Sequence, residues 1–410
     1  MYSYGDAGAA PTHYSKVSVY LKGIFARCTT GNKDANIVIG SSVEEIQTEL
    51  KAIGAVLPPA LTYSHLQAQQ QSLPDVGFRY ALVYRQGQPV IFTYFQVYTL
   101  TANNFNLHRN TSFVKGIIGF FLNLKKARVL VLGNALRTED SSYWYDNSQL
   151  HTSDALSAIA TVAARLATDA DVSATLMPGI SSLDATHMLK LGYNMPMEDS
   201  VMELALRPEW RTITDYVAAL SRKYRARAKK VLASATAQLT ARQFTLADVE
   251  HHATDINRLF AQVIDKQSFV FTRSGAAYIA ALKQVHGTAF ELTGYFMQGQ
   301  LVAFSSAFVS PTAYELYYVG FDTELNCECP LYFYMMLAGL ERAIVLGKQT
   351  LKLGRTSFDA KASLGALPRQ TDYLIKLRHI PDVAIKWFCC YFASIEDLRW
   401  KQRNPLAPGA

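Results

Sequence analysis

Two stretches decide how this chain folds: residues 78–100, FRYALVYRQGQPVIFTYFQVYTL, and residues 290–310, FELTGYFMQGQLVAFSSAFVS. Each contains two runs rich in aromatic and β-branched residues, the composition of half-buried strands. In both, the runs meet at Gln-Gly-Gln, where glycine supplies the positive φ of a tight hairpin turn. Gly87 and Gly299 lie about half the chain apart. A duplicated unit is the expectation.

The order of elements beyond each hairpin supports the repeat. After the first come a strand at 128–133, an alanine-rich helix at 154–167, a strand at 172–177, a short helix ending Lys190-Leu191-Gly192-Tyr193 and a strand at 200–206. After the second come a strand at 314–320, a helix at 331–346, a strand at 350–353, a short helix ending Ser363-Leu364-Gly365-Ala366 and a strand at 371–378. The expectation is α/β (α+β mixed sheets), with helices covering the strands of each half. The lobes divide as 1–200 and 201–410, with the boundary near 196–208.

The second half opens with helices that have no twin in the first. Residues 215–232 carry an apolar stripe through Val217, Leu220, Tyr224 and Val231, and the other faces hold Arg222, Lys223, Arg225, Arg227, Lys229 and Lys230. Further helices are expected at 246–265 and 275–285, and an amphipathic tail helix at 383–400.

Composition narrows the class. The chain has 410 residues, 50% hydrophobic and 18% charged, which excludes disorder and suits two packed domains. No secretory leader is read at the start, and no apolar run is long enough to span a bilayer. The five cysteines are an odd, sparse set, read as free thiols of a reducing cytoplasm. A net charge of +7 favours anionic partners without choosing among them. Metal is not expected. Cys327-x-Cys329 and Cys389-Cys390 lack zinc-knuckle spacing, His251 and His252 cannot share a helix face, and there is no HExxH.

These features together resemble the GNAT acyltransferase fold, present twice. Leu189-Lys190-Leu191-Gly192-Tyr193 is similar to a stretch that closes many such domains. The segment from Trp210 to Lys230, ending YRARAKK, and Lys352-Leu353-Gly354-Arg355 with Lys361 and Gly365 resemble the tandem-lobe group of Fem-type aminoacyltransferases and related acetyltransferases. The resemblance implies an N-acyltransferase moving an acetyl, acyl or aminoacyl group from a thioester or ester donor to an amine, with the reaction centre in the second lobe. The donor would be acyl-CoA or another activated acyl or aminoacyl group. The acceptor is a small-molecule or carrier-linked amine, and tRNA or an acyl carrier protein are possible partners. One departure stands out. The loops at 134–144 (NALRTEDSSYW) and 321–330 (FDTELNCECP) lack the glycines whose N–H groups hold the coenzyme A pyrophosphate at a helix N-terminus.

The candidate residues follow. Lys361 sits where single-lobe relatives place an acid–base tyrosine, and could hold a phosphate or polarise a carbonyl; the first half has Met188 there. Arg355 ends a strand, where a guanidinium suits phosphate or carboxylate. Glu315 is a candidate base among aromatic residues, and Tyr318 or Tyr332 a candidate acid. Tyr224, Arg225, Arg227 and Lys229 are candidates for binding an anionic substrate. The competing readings are a non-catalytic binding protein that kept the tandem fold, and an RNA-associated protein using the basic helix.

Overall fold

The computed structural model describes residues 35–105, 127–180, 182–267, 269–378 and 401–407. The first half supplies β1 (Ala35–Gly40), β2 (Gly77–Arg85), β3 (Gln88–Leu100), β4 (Ala127–Leu132), β5 (Tyr143–Tyr145), β6 (Ala174–Ile180) and β7 (Asn194–Ala205). The second supplies β8 (Thr240–Gln243), β9 (Phe290–Met297), β10 (Gln300–Val309), β11 (Ala313–Phe321), β12 (Thr350–Gly354) and β13 (Leu367–Leu377). The two Gln-Gly-Gln turns join β2 to β3 and β9 to β10. In each, glutamine and glycine take positive φ in succession: Gln86 50° and Gly87 79°, Gln298 51° and Gly299 82°. That is the turn whose twist matches a two-residue hairpin.

The strand order repeats. β2-β3-β4-β6 and β9-β10-β11-β12 each run as an antiparallel hairpin, an antiparallel third strand and a parallel fourth. The halves then exchange their last strands. β13 pairs with β6, β7 pairs with β12, and β7 and β13 pair with each other, all antiparallel. One 13-stranded sheet results, ordered β1-β2-β3-β4-β6-β13-β7-β12-β11-β10-β9-β8, with β5 attached to β3. The fold is two tandem GNAT-like lobes of α/β type sharing a sheet.

Burial follows the exchange. One face of the first lobe's sheet (Tyr80, Phe92, Tyr94, Tyr98) packs with Ile256, Leu259, Tyr278, Phe290 and Phe304 of the second half in a single apolar cluster. On the opposite faces, the Thr152–Asp169 helix buries Ile159, Val162 and Leu166, and the Leu331–Val345 helix buries Leu337, Leu340 and Ala343. Apolar burial of this kind is the main stabilising force of the body. Among the described residues, no helix is long and apolar enough to cross a membrane.

Three expectations about the second half need correction. The helix read over 215–232 is two, Ile213–Ala219 and Arg222–Gln238. Leu220 turns extended between them because its side chain is buried and its backbone bridges Leu406, while the Ser221 N–H donates to the Pro405 carbonyl. The helix read over 246–265 likewise divides into Leu246–His251 and Ala253–Ile264, where His252 leaves helical geometry. The last strand begins at Leu367 rather than at 371. The tail helix expected at 383–400, with Cys389 and Cys390, lies outside the described residues.

A polar contact sits inside the shared core. His65, on the Tyr63–Ser72 helix, and His286, ending the Ala276–His286 helix, are joined Nδ1 to Nε2 at 2.8 Å. Gln69 joins the other nitrogen of His65, Gln96 donates to Gln69, and the Ala135 N–H donates to Gln96. Burial holds His65 down to about 3 and His286 to about 4, with neighbouring positive charge adding to the effect. Both therefore stay neutral when folded, whereas the unfolded chain takes up their protons below its ordinary histidine value. The stability they contribute is complete above about pH 6.5. It is lost as pH falls toward 4. The melting temperature of His65→Gln should therefore fall less steeply than wild type between pH 6.5 and 4.5, measured by calorimetry at constant ionic strength.

Candidate functional site between the two halves

The site begins with an irregularity in β11. Its register against β10 runs from Ser305↔Val319 to Ala307↔Leu316, so Tyr317 and Tyr318 together face Ser306. Such a bulge bends its strand and re-aims side chains. Ser306 is buried and fastens the bulge, its hydroxyl donating to the Tyr318 carbonyl at 3.0 Å and accepting from the Tyr318 N–H at 2.9 Å. Next to the bulge, parallel pairing of β11 with β12 covers only Ala313–Glu315 against Thr350–Lys352. Beyond Glu315 the two strands part.

Side chains from several elements gather at this parting. Tyr317 donates to the Tyr278 hydroxyl at 3.4 Å, and the rings of Tyr317 and Tyr318 lie 4.1 Å apart. Burial raises the Tyr318 hydroxyl above its ordinary value, and the nearby Ser274 hydroxyl and the Arg355 charge pull it partly back. Arg355 follows β12 and donates to the hydroxyl of Tyr373 on β13. Lys361, on the Phe358–Ala362 helix, is 3% exposed, and its Nζ donates to no acceptor among the described residues. Burial, with the Arg355 charge second, pushes the amine down to about 7. A buried lysine without a partner is expensive to keep. Tyr332 is half-buried at the start of the Leu331–Val345 helix, and burial raises its hydroxyl above the ordinary value.

Glu315 is engaged by the first half. Arg137, from the loop after β4 in the first half, donates to its two carboxylate oxygens from Nε at 3.1 Å and Nη2 at 2.6 Å. The same guanidinium lies 3.7 Å from the Phe308 ring centre and pairs with Asp140. Burial works to lower the Arg137 pKa, but the two carboxylates more than offset it. Asp140 is 4% exposed, and its Oδ2 is buried with no hydrogen-bond partner. Burial pushes this carboxyl up to about 6 against the pull of Arg137. Asp140 belongs to the lining of an open cleft of about 480 Å³ with Ser142, Tyr143, Gly179, Arg369 and Thr371. Beside it, Glu139 accepts from Lys352 and Arg369 of the second half, both at 2.6 Å.

The remaining residues singled out from sequence sit on the Arg222–Gln238 helix. Arg225 turns back on its own chain, donating to the Leu220 carbonyl at 3.0 and 2.7 Å. Arg227 lies 4.2 Å over the Phe333 ring, Lys229 is exposed, and Tyr224 packs at the edge of the second lobe's core. Sequence reading missed Arg137, Asp140, Tyr278 and Ser306. RTED at 137–140 reads in sequence only as part of a loop without glycines.

The loops after β4 and β11 do not fit a coenzyme A pyrophosphate held in the usual way. At the head of the Leu331–Val345 helix, the Tyr332 N–H already donates to Asn326 at 2.9 Å. Asp322 accepts from the Glu324 and Leu325 N–H groups, and Glu324 and Glu328 stand exposed nearby. In the first half, the equivalent loop is committed to the second half through Arg137 and Glu139.

Residues 222–362, about a third of the chain, match the family model described as Acetyltransferase (GNAT) domain. The match lies within the second half of the chain. Among solved structures it is similar to a tandem GNAT protein from the clavulanic acid biosynthesis pathway, at 12% identity over 85% of this chain and 100% of that one, TM-score 0.49. It is also similar to FemX, at 10% identity over 83% and 97%, TM-score 0.48. A third is the C-terminal domain of a putative lysylphosphatidylglycerol synthetase from Agrobacterium fabrum, at 12% identity over 85% and 96%, TM-score 0.46. Likeness at this level says nothing of substrate. None of the curated proteins matches the chain.

The charge arrangement makes a direct prediction. Arg137→Met leaves Glu315 and Asp140 without their shared cation, and breaking a buried pair in this way costs about 3–5 kcal/mol. Urea unfolding at pH 7.5 should show a loss of that order. It should shrink as the pH falls below about 6 and Asp140 takes up a proton.

Proposed function

We propose that the chain transfers an acyl group from a thioester or ester donor to a primary amine, at a centre between the parting of β11 and β12 and the loop after β4. The observation that carries this reading is the buried, unpartnered Lys361 close to Arg355, where the parallel strands separate. Two neighbouring cations suit an oxygen that becomes negative during reaction. Asp140, with one open lone pair, suits the opposite task.

The steps balance as follows. Asp140 takes a proton from the acceptor's ammonium, freeing the nitrogen lone pair. The amine attacks the acyl carbonyl carbon, and the carbonyl oxygen gains negative charge facing Lys361 and Arg355. The carbon–sulfur or carbon–oxygen ester bond then breaks. Tyr318, a neutral hydroxyl at this pH, protonates the leaving group and is repaid by the proton lost from the new amide nitrogen. Glu315 holds Arg137 rather than accepting a proton. No covalent enzyme intermediate is required, because orientation and charge placement suffice. The acceptor is a small or carrier-linked amine, and the donor is one whose activating group does not depend on a glycine-rich pyrophosphate loop.

The test is mass-spectrometric detection of acylated product from acetyl-CoA, an acetylated carrier protein and aminoacyl-tRNA, each offered with a panel of primary amines. Lys361→Met should cut transfer at least tenfold, about 1.4 kcal/mol of transition-state stabilisation. It should leave the melting temperature unchanged or higher, because a buried amine gives way to an apolar chain of similar shape. Transfer requires Asp140 ionised and Lys361 protonated, so wild-type kcat/KM should rise through about pH 6 and decline through about pH 7. Asp140→Asn should remove the acid limb and Lys361→Met the alkaline one. A rate still climbing at pH 8.5 would contradict the role given to Lys361.

A further inference from the structure

The Arg222–Gln238 helix carries its charge where charge does not help it. Arg222, Lys223, Arg227, Lys229 and Lys230 are exposed, and the helix contains no Asp or Glu. Arg222 and Lys223 occupy the first turn, the positive end of the helix dipole, where cations are unfavourable. Lys223 and Arg227 repel at i,i+4, as do Arg227 and Lys230 at i,i+3. Among the described residues, none of these five forms an ion pair. The helix is held instead by its buried Ala228, Val231 and Ala235. Its own stability does not account for this cluster.

The position of the helix points to an external anion. Arg227 lies over Phe333 at the head of the Leu331–Val345 helix, so the basic face borders the loop that follows β11. That loop presents Glu324 and Glu328, and its helix N–H is occupied by Asn326. A donor that cannot anchor its pyrophosphate there has to be held through some other part of its carrier. The mixed border helps to choose the carrier. A continuous run of phosphates would meet the exposed glutamates as well as the cations, whereas a folded protein can set its own carboxylates against the helix and its own lysines against the loop.

We infer that the basic face from Arg222 to Lys230 docks an acidic carrier protein that brings the acyl thioester to the parting of β11 and β12. The inference rests on the acyl-transfer reading for the purpose of docking, but the docking itself can be tested without turnover.

The test uses the full chain and an acetylated acyl carrier protein, with Kd measured by calorimetry from 25 to 300 mM salt. The Lys223→Glu/Lys230→Glu double variant should bind at least tenfold more weakly and with a shallower salt dependence. Its melting temperature should hold or rise, because a glutamate in the first turn suits the dipole. A carrier in which two surface glutamates are changed to lysine should recover affinity for the double variant. Equal carrier affinity in wild type and variant overturns the inference. So does a transfer RNA pool that binds more tightly than the carrier and loses its binding in the variant. If the carrier docks as expected but no donor yields acylated amine, the acyl-transfer reading fails while the docking stands. If acetyl-CoA supports transfer equally in both proteins and the carrier does not bind, the reverse holds.

Discussion

Parallel pairing between β11 and β12 lasts three residues, and much of the second half is arranged around its end at Glu315 and Lys352. The bulge at Tyr317 and Tyr318 makes the two strands' directions incompatible beyond that point, and Ser306 keeps the bulge in place from within the core. Strand exchange fixes the other wall. β12 is flanked by β7, which comes from the first half, so the parting is framed by both halves and neither could form it alone. The order β6-β13-β7-β12 also makes the halves share a continuous sheet.

The loop after β4 stands where the resemblance would place a phosphate-binding loop. Such a loop normally offers N–H groups to an anion. Here it offers side chains to the second half: Arg137 to Glu315, and Glu139 to Lys352 and Arg369. Burial alone would raise the Glu139 carboxyl, but hydrogen bonds and charge from the two cations bring it below its ordinary value. An acidic loop clamped in this way cannot also cradle a pyrophosphate. The side chains of this loop therefore have a structural use in joining the halves.

Much of the fold was legible because it depends on local signals. The two Gln-Gly-Gln turns, the aromatic runs beside them and the alternation of strand and helix all read directly from the chain. Helix breaks were less accessible. Leu220 continues an apolar stripe, and only its bridge to Leu406, far along the chain, shows why it leaves the helix. The site was legible in part. Lys361 and Arg355 stand close to each other in the structure, as their common stretch of sequence allowed. Asp140 could not be found in this way, because its importance comes from burial and from Arg137 being drawn to Glu315, contacts that span about 180 residues.

Lys361 and Asp140 both have proton affinities moved toward neutrality. A buried amine and a buried carboxyl that met directly would hold each other ionised, with the amine pushed up and the carboxyl down. In this protein no hydrogen bond joins Lys361 to Asp140. Arg137 pairs with both Asp140 and Glu315, and Arg355 stands beside Lys361. Each group is left with burial as the leading influence, which moves the carboxyl up to about 6 and the amine down to about 7. Both can then exchange protons near neutrality, one from each half of the molecule. The carboxyl comes from the first half and pairs with Arg137, while the amine comes from the second and stands beside Arg355, so each is set by different neighbours.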